Sequence, residues 1–125
     1  MLKSLIIIGT GGFLGSIARY LTAIYVARQC TTLFPYGTLI ANALGCFLIG
    51  IFYALAEKGD VLSPEWRIFL TTGFCGGYTT FSSFSYESIQ LFQNGEFFNL
   101  TLNILLSVTA GITATYFGII LIKSM

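Results

Sequence analysis

Four long runs of apolar residues follow one another along the chain, separated only by short polar stretches. A helix crossing the hydrocarbon core of a bilayer needs about 20 mostly apolar residues. That length predicts spans at roughly 4–27, 36–56, 67–92 and 97–122. The stretches between them, "RQCTTLFP", "EKGDVLSPEW" and "QNGE", are too short to hold a soluble domain. Residues 1–125 therefore read as one all-α membrane unit of four helices, with both termini on the same side.

The third run is the irregular one. Its centre reads "GFCGGYTTFSSFS", residues 73–85, with glycines and hydroxyls where lipid would favour neither. Gly76 and Gly77 disfavour helix, and Thr79 and Thr80 add two β-branched residues, so the hydrogen-bond ladder is predicted to open here. Carbonyls freed at membrane depth are tolerated only when they are buried in protein or bound to something. Small residues in the other runs point to close helix packing. Gly11 and Gly15 form a GxxxG with Gly12 and Ser16 alongside, and Gly37, Ala41 and Gly45 repeat the device. The same glycines, "GTGGFLG", do not make a dinucleotide loop, because the spacing fails at Leu14 and no βαβ unit follows. Lys3, the apolar run and "SIA" at 16–18 also resemble a cleavable signal peptide. The apolar run resumes directly beyond that point, which favours a span.

Composition agrees with the pattern. Of 125 residues, 55% are hydrophobic and 9% charged, where a soluble domain carries about 25% charged residues. A net charge of +1 excludes a nucleic-acid binder working by phosphate neutralisation. Histidine is absent, which removes the commonest general base and metal ligand and argues against an enzyme. Cys30, Cys46 and Cys75 are widely spaced without a CxxC, so they predict neither a disulfide framework nor a zinc site. Small packing residues is the plainer reading. Lys3, Lys58, Arg67 and Lys123 fall on the side of the termini, opposite Arg28, which favours cytoplasmic termini.

Polar residues inside the spans are few. Arg19 and Glu87 are the two ionisable ones, each roughly 10 Å inside the same membrane face at 1.5 Å per residue. They read as an ion pair within the chain, as an electropositive vestibule, or as both. Asn42 is either glue between helices or a neutral donor to an anion. Span 4 carries Asn99, Asn103, Ser107, Gly111 and Thr115 at four-residue steps, a slowly winding polar track. Thr109 and Thr113 point elsewhere and are expected to bond back to their own helix. Phe81 and Phe84 share a face if helix resumes after Thr80, interleaved with Ser82, Ser83 and Ser85. Phenyl rings have positive edges. Hydroxyls, an amide and ring edges form a donor set without fixed charge, suited to a small anion that must pass rather than stay.

The motifs "GGFLGSIARY" (11–20), "GTLIANALGCFLIG" (37–50) and "TTGFCGGYTTFSSFS" (71–85) resemble the bacterial fluoride channels called Fluc or CrcB. The resemblance implies an antiparallel, dual-topology homodimer in the bacterial inner membrane, with two fluoride pores and a third helix broken at its centre. Carried over by position, it makes Phe81 and Phe84 the pore phenylalanines, Asn42 the pore amide and Arg19 the vestibule arginine. Ser82, Ser83, Ser107 and Thr115 complete the candidate pore set, and Glu87 joins Arg19 in the vestibule. The resemblance also implies a structural sodium ion (Na+) held by backbone carbonyls of Gly76 and Thr79 from both subunits. Where relatives place a pore serine in span 4, this chain has Gly111, with Thr115 keeping a hydroxyl one turn on. Two other classes stay open on the residues alone. One is a small four-helix cation or drug exporter, which the lack of a mid-span carboxylate disfavours. The other is a non-transporting assembly subunit, which leaves the uncharged polar tracks unexplained.

Overall fold

The computed structural model describes all 125 residues, Met1–Met125, and is helical with no strands. Helix α1 runs Leu2–Gln29 and α2 Tyr36–Glu57. A short α3, Pro64–Ile68, passes into a wide π-helical stretch, Phe69–Cys75, and then a single turn, α4, Gly76–Tyr78. Helix α5 spans Phe81–Gln93 and α6 Phe97–Lys123. Three of these, α1, α2 and α6, are long and apolar enough to cross a membrane, with mean hydropathies of 1.4, 2.1 and 1.9. Each outruns its sequence-based bounds by up to two residues per end. The extra residues are polar or charged for the most part, as at Arg28–Gln29, Glu57 and Lys123, because a helix need not stop where the hydrocarbon does.

The segment expected at 67–92 is built differently. Its helical residues begin earlier, at Pro64, and divide into α3 to α4 and α5 around two extended residues, Thr79 and Thr80. Local chemistry sets its outer ends. Ser63 caps α3 by accepting a hydrogen bond from Trp66 N–H at 3.2 Å, and Pro64 follows where its missing N–H costs nothing. At the other end α5 closes in a Schellman arrangement: Gly95, at φ +74, donates to Phe92 O, and Glu96 donates to Leu91 O.

Glycines decide how closely the segments approach. A methyl on Gly11 would sit 2.6 Å from Phe69 O and 3.0 Å from the Gly73 Cα. One on Gly77 would sit 2.6 Å from Gly12 O, and one on Gly15 would collide with Phe74 O. The stripe expected on α1 is thus matched by Gly73 and Gly77, backbone against backbone. Helices α2 and α6 make the most extensive contact in the molecule. There Gly50 lies on the Thr115 carbonyl and Gly118 on the Phe47 carbonyl. The ends are tied side by side, where the expected four spans would put them. Lys3 pairs with Glu65 at 3.7 Å, and Lys58 Nζ donates to Met125 O at 3.4 Å, so both termini lie beside the connection from α2 to α3.

Candidate functional site

The interruption at Thr79–Thr80 is stitched by side chains from two other helices. In an unbroken helix the Thr80 N–H would bond to the carbonyl of Gly76. Here it donates to Asn42 Oδ1 at 2.7 Å, while Asn42 Nδ2 donates to Thr80 O at 3.1 Å. The carbonyl of Gly77, whose helical partner would be the Phe81 N–H, accepts from Arg19 Nε at 3.2 Å. Thr80 Oγ1 caps α5 by accepting from Ser83 N–H at 3.1 Å and sits 3.2 Å from Ser82 Oγ. Thr79 Oγ1 bonds back to Cys75 O at 3.0 Å. After this accounting the Thr79 carbonyl has no donor, and that of Gly76 has lost its helical one.

Beside the interruption opens a cavity of about 380 Å³. Asn42, Gly76, Thr79, Phe81, Phe84 and Ser107 all line it. Its walls also include Cys46, Thr71 and Cys75. The Phe81 and Phe84 rings are tilted by 43° with centroids 5.6 Å apart, and Phe81 is 78% exposed. Gly76 is exposed as well, and a methyl there would meet nothing nearer than Thr71 O at 3.9 Å.

The remaining candidate residues differ in what they contact. Ser82 and Ser83 sit in the first turn of α5 and do not line the cavity. Thr115 spends its hydroxyl on backbone, donating to Gly111 O at 3.0 Å and Cys46 O at 3.1 Å. Ser107 belongs to a relay between helices: it donates to Asn103 Oδ1 at 3.3 Å, and Asn103 Nδ2 donates to Ser88 Oγ at 3.2 Å. Asn103, only 1% exposed, is the most buried large polar residue. Thr109 and Thr113, expected to bond back to their helix, do not; Thr10, Thr22, Thr71, Thr79 and Thr115 do.

Arg19 and Glu87 do not form the expected ion pair. The one pair within 4.0 Å is Lys3–Glu65. Equal depth along the membrane does not fix direction around a helix. Arg19 is turned to the Gly77 carbonyl, whereas Glu87, on the far side of the interruption, accepts from Thr38 Oγ1 at 3.0 Å. The second oxygen of Glu87 is buried without a partner. Glu87 borders a separate cavity of about 310 Å³, with Thr32, Gln90, Asn94 and Glu96 around it.

Thr38, Thr71 and Ser88 went unnoticed in the sequence, and Cys46 and Cys75 were read there only as small packing residues. A signal for the site existed for Thr38 and Cys46. Thr38, Asn42 and Cys46 repeat at four-residue steps, which places them along one face of α2.

Comparison with known proteins decides the family. Residues 6–119 match the family described as CrcB-like protein, Camphor Resistance (CrcB). The chain belongs to the CrcB family. Among its relatives is a protein of Flavobacterium psychrophilum named Fluoride-specific ion channel FluC, 46% identical over 124 residues, 99% of this chain and 100% of that one. Proteins of the same name from Chlorobium phaeobacteroides and Phocaeicola vulgatus are 48% and 47% identical, covering 96% and 94% of this chain. The coverage of those two relatives is 93% and 97% of their own lengths. CrcB membership thus extends across the whole fold, including the interruption and the cavity beside it.

Proposed function

We propose that this chain is a fluoride-specific channel, a multi-pass bacterial membrane protein that lets cytoplasmic fluoride leave passively. One observation carries the reading beyond family membership. The cavity beside the interruption is lined by an amide, a serine hydroxyl and two phenyl rings, and by no charged side chain. Such a wall offers donors and positive ring edges to a small anion without holding it, as conduction requires. Asn42 keeps one amide hydrogen beyond its bond to Thr80, and that hydrogen is its donor to fluoride. Phe81 and Phe84 supply the ring edges, and Ser107 continues the path along α6. Thr115 serves it at second hand, through the backbone it bonds, and Ser82 and Ser83 through their contacts with the Thr80 hydroxyl. Arg19 and Glu87 stand at its approach.

In this reading residues 1–125 form one four-helix channel unit whose third span is broken near its centre, and two such units pair antiparallel to give two pores. Support comes from what one chain leaves uncovered. Gly76 and Phe81 are exposed, and backbone carbonyls left open at membrane depth are costly against lipid. A second copy covers it. The Gly76 and Thr79 carbonyls fit a sodium ion, since hard oxygen ligands at an unwound helix suit one. Each chain brings two, so the set is complete only across a twofold axis. When bound, sodium supplies positive charge that holds these carbonyls in place.

The test is fluoride release from proteoliposomes, followed with a fluoride electrode while a potassium ionophore clamps the voltage. The expected result is release down the fluoride gradient with no proton gradient present. Release that requires an imposed proton gradient would instead indicate a coupled exporter, and no release at all an assembly subunit.

A further inference from the structure

The central cavity holds two groups that fluoride conduction leaves unused. Cys46, on α2, and Cys75, at the end of the π-helical stretch, both line it. Neither is in a disulfide. The Cys46 sulfur is turned toward α6 where Gly111 has no side chain; a methyl there would sit 3.4 Å away. Gly111 therefore sets no side chain against that sulfur. No carboxylate or imidazole shares this wall, so no further side chain joins the two thiols to complete a zinc site. Paired thiolates select soft cations.

We propose that Cys46 and Cys75 form a two-thiolate site for a soft, thiophilic cation of low coordination number, and that its occupation closes the pathway. With mercuric chloride as the probe, each thiol gives its proton to water and two sulfur–mercury bonds form. Both chlorides leave, and no atom changes oxidation state. The bridged ion lies in the cavity walled by Asn42, Phe81, Phe84 and Ser107. Closure rests on the channel reading; binding of the metal does not.

The experiment uses the full-length protein carrying Cys30→Ser, because Cys30 is exposed at the end of α1 and would take mercury separately. Intact-mass spectra after mercuric chloride are expected to show one mercury replacing two protons, with no chloride retained. The adduct should survive a monothiol wash and yield to a dithiol. Fluoride release should be lost with the adduct and return with its removal. Cys46→Ala or Cys75→Ala in the same background should abolish the bridged species. Two separate chloride-bearing adducts, or none, would overturn the site, and a complete bridge with undiminished release would overturn its place in the pathway. The mass measurement decides the binding whether or not the protein conducts fluoride.

Discussion

Asn42 holds more of the interruption than any other side chain. Its two bonds to Thr80 replace helical bonds that the extended backbone has lost. Removing them leaves half-buried backbone groups unpaired, at up to about 1–3 kcal/mol each. Asn42→Ala should therefore lower thermal stability in detergent as well as flux. Asn42→Asp keeps the acceptor for Thr80 N–H but places a carboxylate against Thr80 O and in the anion path, so flux should fall further than stability. A thermal melt beside an electrode trace separates the two effects. The phenylalanines should behave in the opposite way. Phe81 is largely exposed and packs little, so Phe81→Ile and Phe84→Ile should leave folding intact while flux drops. Unchanged flux in both would return the rings to simple packing. The sequence had singled out Asn42, Phe81, Phe84 and Ser107, which the fold brings to one cavity. It did not show that Asn42 is turned to backbone, or that Arg19 and Glu87 each have another partner. Those outcomes depend on direction around a helix, which residue spacing along one chain leaves open.

Among the elements, the third segment is the one whose geometry depends on its neighbours. Gly76, Gly77 and the paired threonines marked where helix weakens, and Thr79–Thr80 is where the backbone is extended. The π-helical stretch before it left no comparable mark, because it arises where Phe69–Cys75 follows the glycine face of α1. Neighbouring glycines give a sharp contrast. Gly77→Ala would press a methyl 2.6 Å from Gly12 O and should cost about 1–3 kcal/mol by forcing α1 away. Gly76→Ala meets nothing nearer than 3.9 Å inside its own chain. A stable subunit that no longer pairs after Gly76→Ala, read by light scattering in detergent, would place that residue at the contact between copies. A fully paired, fully active protein would remove Gly76 from it.

At the scale of the whole molecule, the proposed pairing and its sodium stand or fall together. Replacing sodium with a large organic cation throughout purification should weaken both dimer stability and flux, because the carbonyls of Gly76 and Thr79 would face one another unscreened. Thr79→Ser should change little, since the ligand is backbone. Loss of neither property would show that the interruption serves another purpose.

The central claim is selectivity. A pathway of neutral donors, closed by ring edges and without fixed charge, is too lightly built to strip the water from a larger anion. Liposomes loaded with equal fluoride and chloride, opened by the same potassium ionophore and followed with electrodes for each ion, test this directly. The account predicts rapid fluoride loss with chloride retained. Comparable loss of both ions would contradict it.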